Sequence, residues 1–450
     1  MIKKKQFSGF KLFILVFSLL LLYFSIILFL RTEPFSDFKF YYGTALAIRS
    51  GAEVSPFYKY FSAPGYPYLL SLLFDIFKSE SILIPQFFNA FILAFLCVLL
   101  ANYNFVENRY LKLAGFLTMA FSLNYLPMVS VLCSEIPYAL FFGGGLFLIG
   151  FVFKRMVEPA SVTEMARALI LFFSGVMLGV SQSIRPVTTP FLFLLSVILP
   201  LSERYFVIDN ARKTLGKCLT MAIQLFLPVW VGFLGTALVL YYVCSYGLTI
   251  QPLQNGFWNV YVGFNIESKG MWNPNDSRLI KMIGEKKQWS AKEVNQEFRP
   301  MVIERVKKGW LTQLKIVPDK LVILLSPTGI PFAALDKSNI KDPSSIYRIS
   351  RYFSFINLLV IFLSLIGLLH IFIRRKVSFI EVFVSGVTLA VFLNILLHAY
   401  LLEVQGRYSN HLWLILFWFF PFHLRETIWV RRKCVARDGL ETGTLANRMI

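Results

Sequence analysis

Long apolar blocks recur along the chain, and each is about as long as the 20 residues that an α-helix needs to cross a bilayer. Backbone groups in lipid must find hydrogen-bond partners within the protein, and these blocks are too long to be barrel strands. Hydrophobic residues make up 56% of the chain and charged residues only 16%. The sequence therefore predicts an all-α fold, a polytopic transmembrane helical bundle.

The apolar blocks predict about ten spans, near residues 12–30, 82–101, 113–130, 136–153, 168–184, 187–200, 219–243, 352–373, 378–398 and 410–424. Two further stretches, 64–77 and 321–335, are interpreted as re-entrant, interfacial or additional spans, and the count would then reach about 11 to 13. We divide the chain into three parts. These are an N-terminal transmembrane module (1–243) whose first outer loop is 31–81, an outer segment (244–351), and a C-terminal transmembrane module with a tail (352–450).

The distribution of Lys and Arg sets the orientation, because short cytoplasmic loops hold an excess of these residues. The segments assigned to the inside carry Lys3, Lys4, Lys5, Lys154, Arg155, Arg212, Lys213, Arg374, Arg375, Lys376, Arg431, Arg432 and Lys433. Both termini are therefore predicted to be cytoplasmic, and the first span is a retained signal anchor. Membrane orientation also explains most of the net charge of +20, so no nucleic-acid partner is needed.

The outer segment contains a candidate amphipathic helix. The capping-box pattern from Ser290 to Glu293 predicts its start. Apolar residues then recur at every fourth position, at Val294, Phe298, Val302, Val306 and Trp310. This stripe indicates a helix that lies on the membrane surface or packs on the bundle. In the fourth span, Gly143, Gly144 and Gly145 indicate close helix packing rather than a phosphate loop.

Polar residues gather at the outer ends of the spans. Asp37 follows the first span, Glu135 begins the fourth, Arg185 ends the fifth, and Glu403 to Tyr408 precede the tenth. Ion-coupled transporters usually carry such groups near the midplane instead. A carboxylate can take a proton from an attacking hydroxyl, and guanidinium groups hold phosphate. This arrangement suits chemistry on a lipid-linked substrate, and a phosphate leaving group needs no general acid.

The order of motifs SDFKFYY, PGYPYLL, SEIPYA, SIRP and EVQGRY resembles the GT-C superfamily of integral-membrane glycosyltransferases. The similarity is to bacterial relatives of the dolichyl-phosphate-mannose protein mannosyltransferases and of the lipid A aminoarabinose transferases. The resemblance implies transfer of a sugar from a polyprenyl-phosphate donor to a lipid, glycan or protein acceptor, with inversion. It implies that Asp37 is the catalytic or acceptor-orienting carboxylate. It also implies a bacterial plasma membrane as the location.

The sequence departs from the family at this carboxylate. Many relatives carry an Asp-Glu pair, whereas Asp37 is followed by Phe38. A two-carboxylate or metal-bridged site is therefore in doubt, while catalysis by one base is not affected. No cofactor is required by the sequence, and a divalent metal ion remains open.

Each candidate also has a structural interpretation. Asp37 could cap the following helix, Tyr41 could be an interfacial aromatic residue, and Glu135 could complement a helix dipole. Arg185 could extend its charged end from the membrane to water, although we favour contact with phosphate.

The last outer turn has the same two interpretations. Arg407 and Tyr408 could anchor the chain at the interface with Glu403 as an ion-pair partner, or could bind the donor, with the family pattern favouring donor phosphate for Arg407. His398 and His411 give no metal site. Two rival functions are a transporter or flippase of a lipid-linked glycan, and a non-catalytic assembly component.

Overall fold

The computed structural model describes residues 9–61, 63–102, 108–122, 124–156, 163–206, 215–245, 255–325, 344–373, 378–403, 408 and 412–426. Within these residues the regular secondary structure is helical and contains no strand. The prediction of an all-α fold is confirmed.

The helices are numbered here in chain order. In the N-terminal module they are α1 (Gly9–Leu30), α2 (Asp37–Ser50), α3 (Pro56–Phe61), α4 (Gly65–Phe77), α5 (Leu83–Asn102), α6 (Arg109–Ala120), α7 (Glu135–Met156), α8 (Glu164–Ile184), α9 (Thr188–Phe206) and α10 (Leu215–Ser245). The outer segment contains α11 (Gly256–Gly263), α12 (Pro274–Lys286) and α13 (Ala291–Leu325). The C-terminal module contains α14 (Ser344–Ile373), α15 (Phe379–Leu401) and α16 over 412–426.

Among the described residues, seven helices are long and apolar enough to cross a membrane. Their apolar parts are Phe13–Leu30, Leu83–Leu100, Glu135–Phe153, Glu164–Ile184, Ala222–Leu240, Phe355–Ile373 and Ile380–Leu401. Shorter apolar helices occur at Gly65–Phe77, Tyr110–Ala120 and Thr188–Ser202. By the length and composition of these helices, the chain is a polytopic integral membrane protein.

The third predicted span, 113–130, has a different structure. Helix α6 ends at Ala120, and Pro127–Ser130 form a separate 3-10 turn. The Ser122 hydroxyl accepts a hydrogen bond from the Asn124 backbone N–H at 3.1 Å, and Pro127 cannot donate one. The hydropathy pattern therefore identified the apolar stretch correctly, whereas local hydrogen bonding divides this stretch into α6 and the 3-10 turn.

Glycines let three helices approach closely in the bundle. A β-carbon on Gly175 of α8 would overlap the Val229 carbonyl oxygen of α10, and one on Gly232 of α10 would overlap the Phe172 carbonyl oxygen. On the other side of α8, a β-carbon on Gly145 of α7 would lie 2.7 Å from the Leu178 side chain. The predicted packing role of the glycines in the fourth span is confirmed for α7. This packing fixes the outer end of α8 relative to its neighbours.

The amphipathic stripe of α13 packs within the outer segment. Val294, Phe298 and Val302 are buried against Trp258 and Tyr261 of α11 and their neighbours. Trp310 is 54% exposed, so burial does not extend to the end of the stripe, and contact of this residue with the membrane surface stays a prediction. Residues four positions apart advance by about 40° around an α-helix, and the four steps from Val294 to Trp310 therefore turn the stripe by about 160°.

Candidate functional site

The start of α7 and the end of α8 bring a carboxylate and a guanidinium together. The Arg185 guanidinium donates through Nη1 to Glu135 Oε1. The Glu135 side chain is fully buried, and that of Arg185 is 12% exposed. Two residues that the sequence placed only on the same membrane side thus form a direct ion pair. Because burying a charge is costly unless it is paired, each of the two stabilises the other in this position.

The turn after α15 contributes the next side chains. The Arg185 guanidinium carbon lies 5.6 Å from the centre of the Tyr408 ring, and the His398 ring centre lies 5.4 Å from that ring. Nε2 of His398 is 2.9 Å from the Glu403 carbonyl oxygen, to which it donates a hydrogen bond in the matching tautomer. Glu403 itself is 4% exposed. Arg407 and His411 lie outside the described residues.

The first outer loop joins this cluster through aromatic rings. The rings of Tyr41 in α2 and Tyr66 in α4 meet edge to face at 5.2 Å. Tyr66 is buried and interacts electrostatically with both Glu135 and Tyr41. Asp37 is the first residue of α2, one turn before Tyr41, and Ser36 occupies the N-cap position. The structure therefore places Asp37 inside the helix and not at the cap, and Tyr41 connects its helix to the cluster.

Close backbone contact fixes α4 against the end of α8. A β-carbon on Gly65 would lie 2.7 Å from the Ser183 carbonyl carbon, two residues before Arg185. Only glycine permits this approach, because any side chain would push α4 away from Arg185.

A buried polar network positions the segment that precedes Glu135. The Gln86 amide of α5 donates to the Thr32 carbonyl at 3.2 Å and to the Ser130 carbonyl at 2.6 Å. The Asn89 amide, one helical turn later, donates to the Val131 carbonyl at 3.3 Å. These bonds tie the end of α1 and the segment before α7 to one helix. The entry to α7, and with it Glu135, is thereby held in place.

The outer segment is attached at the same level. The Glu403 backbone N–H donates to the Asn259 carbonyl of α11 at 2.9 Å. The Gln313 amide of α13 donates to the Gly263 and Tyr400 carbonyls, both at 2.8 Å. Helix α11 therefore lies directly against the outer end of α15.

Lys320 is a buried cation that the sequence did not reveal. It is fully buried on α13, its Nζ donates to the Gly263 carbonyl at 3.0 Å, and burial lowers its pKa to about 7. It interacts electrostatically with His398, as does Arg185. The only signal in the sequence is a lysine at the start of an apolar run, and such a lysine is ordinarily assigned to the interface.

The side chains present do not fit a metal ion. Within the described part of the chain, no three His, Cys, Asp or Glu side chains lie close enough together to hold one. The residue after Asp37 is Phe38, whose ring is buried.

Comparisons with known proteins found a likeness in structure only. No protein-family model matches the sequence, and no curated protein matches it. The archaeal oligosaccharyltransferase AglB from Archaeoglobus fulgidus, in complex with an inhibitory peptide and a dolichol-phosphate, is 14% identical with a TM-score of 0.47. That match covers 97% of this chain and 52% of the other.

Two further structures of the Archaeoglobus fulgidus oligosaccharyltransferase are similar to this chain. The enzyme tethered to an acceptor peptide with the NVT sequon is 13% identical, with a TM-score of 0.48 and coverage of 93% and 50%. The apo form is 13% identical, with a TM-score of 0.46 and coverage of 95% and 52%. The chain spans about half the length of these proteins. The function proposed for this chain rests on its own residues.

Proposed function

We propose that this chain is a membrane glycosyltransferase that transfers a sugar from a polyprenyl-phosphate donor to an acceptor on the extracytoplasmic face. The observation that supports this most directly is the convergence of separate helix ends on Arg185, which Glu135 orients and Tyr408 flanks. An oriented guanidinium binds phosphate oxygens through a planar set of N–H groups. At the outer end of a membrane helix, it suits a phosphate whose lipid chain remains in the bilayer.

Asp37 is the proposed base. Its carboxylate takes the proton from an acceptor hydroxyl, and the hydroxyl oxygen attacks the anomeric carbon of the sugar. The bond from that carbon to the phosphate oxygen breaks, its electron pair goes to the phosphate, and the configuration inverts. Since a phosphate leaves without protonation, one base is sufficient. The position of Asp37 in the first turn of α2 favours the charged form, because the helix N-terminus attracts negative charge.

The other candidates receive supporting roles. Arg185 binds the donor phosphate, and Glu135 is a positioning residue that holds the guanidinium. We assign Arg407 to the same phosphate from the family pattern. Tyr408, Glu403 and Tyr41 surround the sugar, and their proximity to the Arg185 cluster supports this assignment.

The test uses purified protein and a panel of undecaprenyl-phosphate sugars. We expect release of undecaprenyl phosphate with at least one donor and a glycosylated product by mass spectrometry. Asp37→Asn should abolish release, because the amide keeps the shape but takes no proton. Asp75→Asn is the matched control, since Asp75 lies in the same outer loop but is 53% exposed and paired with Arg49 at 3.1 Å.

The outcomes separate the enzyme from a transporter. Movement of an intact lipid-linked glycan between leaflets, without any product from the whole panel, would favour a flippase. Activity of Asp37→Asn within a few-fold of wild type would rule out the assignment of the base.

We also propose that the termini are cytoplasmic, that the site faces outward and that the membrane is a bacterial plasma membrane. Single cysteines at Ser36 and Met165, both exposed, would test the orientation in a variant without native cysteines. A membrane-impermeant thiol reagent added to intact cells should label the first position and not the second. Labelling of Met165→Cys alone would show that the orientation is opposite to the one proposed.

A further inference from the structure

A cleft of about 970 Å³ opens in the outer segment between α11, the start of α12 and the middle of α13. We call it the outer cleft. Its lining combines amide, carboxylate and guanidinium side chains with aromatic and aliphatic ones. Residues that carry the argument are Tyr261, Asn265, Asn273, Asp276, Arg305 and Gly309.

The polar lining is held rigidly in place. Asp276 is 4% exposed, and its Oδ2 accepts from the amides of Asn265 at 2.8 Å and Asn273 at 2.6 Å. Its Oδ1 lies 3.4 Å from Nη2 of Arg305, which stacks on the Tyr261 ring at 3.5 Å. A recognition surface fixed by its own hydrogen bonds loses little conformational entropy when a ligand binds.

The charges of the cleft do not favour an anion. Asp276 is paired with Arg305, and Glu304 is paired with Lys308 at 2.6 Å. Glu267 adds a further negative charge to the lining. A phosphate or an anionic lipid head group would therefore meet a neutral to acidic surface, and the outer cleft is unsuited to the donor.

The mixture of groups favours hydroxyls. Asn amides both donate and accept hydrogen bonds, and so do sugar hydroxyls. Small-molecule sites are mostly apolar with a few polar groups, whereas this lining is rich in polar side chains. The described part of the outer segment is helical, so it offers no strand edge for an extended peptide.

Helix α11 connects the outer cleft to the candidate active site. Tyr261 of this helix lines the cleft, while the Asn259 carbonyl accepts the Glu403 N–H at 2.9 Å. The Gly263 carbonyl at its end accepts from Gln313 and Lys320. A helix of eight residues thus has one part at the cleft and another bonded to the turn that carries Glu403 and Tyr408.

We propose that the outer cleft binds the acceptor, and that this acceptor is a neutral, hydroxyl-rich saccharide. This inference deepens the proposed function and rests on it. The saccharide lies against the Asn265, Asn273 and Asp276 network, and its reactive end extends past α11 toward Asp37.

The test blocks the cleft without touching its polar network. A β-carbon on Gly309 would have its closest neighbours, in Ile266 and Phe264, at 3.8 and 3.9 Å. Gly309→Phe therefore adds a ring that enters the cleft. Gly235→Phe is the matched control, because a β-carbon there meets no atom within 4 Å and Gly235 lies on the transmembrane helix α10.

Binding is measured in the Asp37→Asn background without donor, by fluorescence polarisation of labelled neutral tetrasaccharides of glucose, galactose, mannose and N-acetylglucosamine. We expect at least one to bind, with an affinity at least tenfold lower in Gly309→Phe and unchanged in Gly235→Phe. Equal affinity in the two variants, or binding of a labelled peptide library and of no saccharide, would overturn the inference. Saccharide binding that follows this pattern while wild type releases no polyprenyl phosphate would instead contradict the proposed function alone.

Discussion

The described residues include two clusters in which an arginine lies between a buried carboxylate and a tyrosine ring, and the surroundings of these clusters differ. At the membrane level Arg185 pairs with Glu135 and faces Tyr408 at 5.6 Å. In the outer segment Arg305 pairs with Asp276 and stacks on Tyr261 at 3.5 Å. The same three residue types therefore recur in one chain, and the difference must lie in what surrounds them.

The two clusters differ in which groups bond to the carboxylate and in how much of the arginine side chain is exposed to water. Asp276 accepts from two amides besides Arg305, whose side chain is 26% exposed beside an open cleft. Glu135 is fully buried, and its partner Arg185 is only 12% exposed. The outer cluster is a stiff scaffold for hydroxyl groups, whereas the inner one is built on a buried ion pair, beside which the Ser134 hydroxyl lies 3.5 Å from Glu135 Oε2. Composition alone does not distinguish the two.

Removing each carboxylate should give the largest contrast. Glu135→Ala leaves a guanidinium without its buried partner, and we expect a loss of about 3–5 kcal/mol in unfolding free energy. Asp276→Ala leaves groups that water in the outer cleft can reach, and we expect a loss of about 1–3 kcal/mol. Thermal and denaturant unfolding in detergent, followed by tryptophan fluorescence, measures both. Equal losses of unfolding free energy in the two variants would show that the two clusters do not differ in this way.

Two glycines beside these clusters should respond differently to alanine. In Gly65→Ala the new methyl overlaps the Ser183 backbone beside Arg185, and overpacking of this kind costs about 1–3 kcal/mol. In Gly309→Ala the methyl meets atoms at ordinary contact distances, and removing a helix glycine is worth up to about 1 kcal/mol. Melting temperatures in detergent should fall in the first variant and hold or rise in the second. A fall of the same size in both would contradict this account.

Replacing the arginine of each cluster by lysine tests whether the two clusters differ in donor binding. Arg185→Lys replaces a planar fork by a point charge at the proposed phosphate site, and we expect donor affinity to fall about tenfold. Arg305→Lys should leave donor affinity within about twofold, because the outer cleft does not hold phosphate. Titration of each detergent-solubilised variant with an undecaprenyl-phosphate sugar provides the measurement. Equal donor affinity for Arg185→Lys and wild type would exclude phosphate binding by Arg185.

Lys320 lies where the two regions meet and should give the smallest effect. Burial lowers its folded-state pKa from 10.5 to about 7, so between these values the unfolded chain binds more protons than the folded one. The free energy of unfolding therefore increases with pH across this window. Below pH 7 the buried charge destabilises the folded state to its full extent.

This pH dependence is checked with Lys320→Met, which removes the titrating group. We expect the melting temperature of wild type to rise relative to the variant between pH 7 and 9, by on the order of 2 °C. Parallel pH profiles for the two proteins would show that Lys320 does not titrate in this range.

Much of the helical architecture followed from the sequence, because the length of an apolar stretch is a local property. The glycine contacts of α7 and the packed stripe from Val294 to Val302 are examples. The end of α6 at Ala120 was missed because a turn inside an apolar stretch changes hydropathy little.

The site was predictable only as a set of residues on one membrane side. Glu135 and Arg185 are 50 residues apart in sequence, and their direct bond depends on how α7 packs against α8. The burial of Lys320 and the Asp276 network depend on how α11 folds against α13. Side-chain spacing along the chain does not encode such contacts.

The Glu135 and Arg185 pair also has a consequence for biogenesis. A charged side chain that is buried away from water is costly unless it is paired. Glu135 opens α7 and Arg185 follows α8, so the two charges lie at the same level once both helices are in place. A hairpin of α7 and α8 that leaves the translocon as one unit carries a neutral pair, whereas α7 alone carries a bare carboxylate. We therefore expect the arginine to act first as a partner that lets the carboxylate enter the bundle, before any substrate is present.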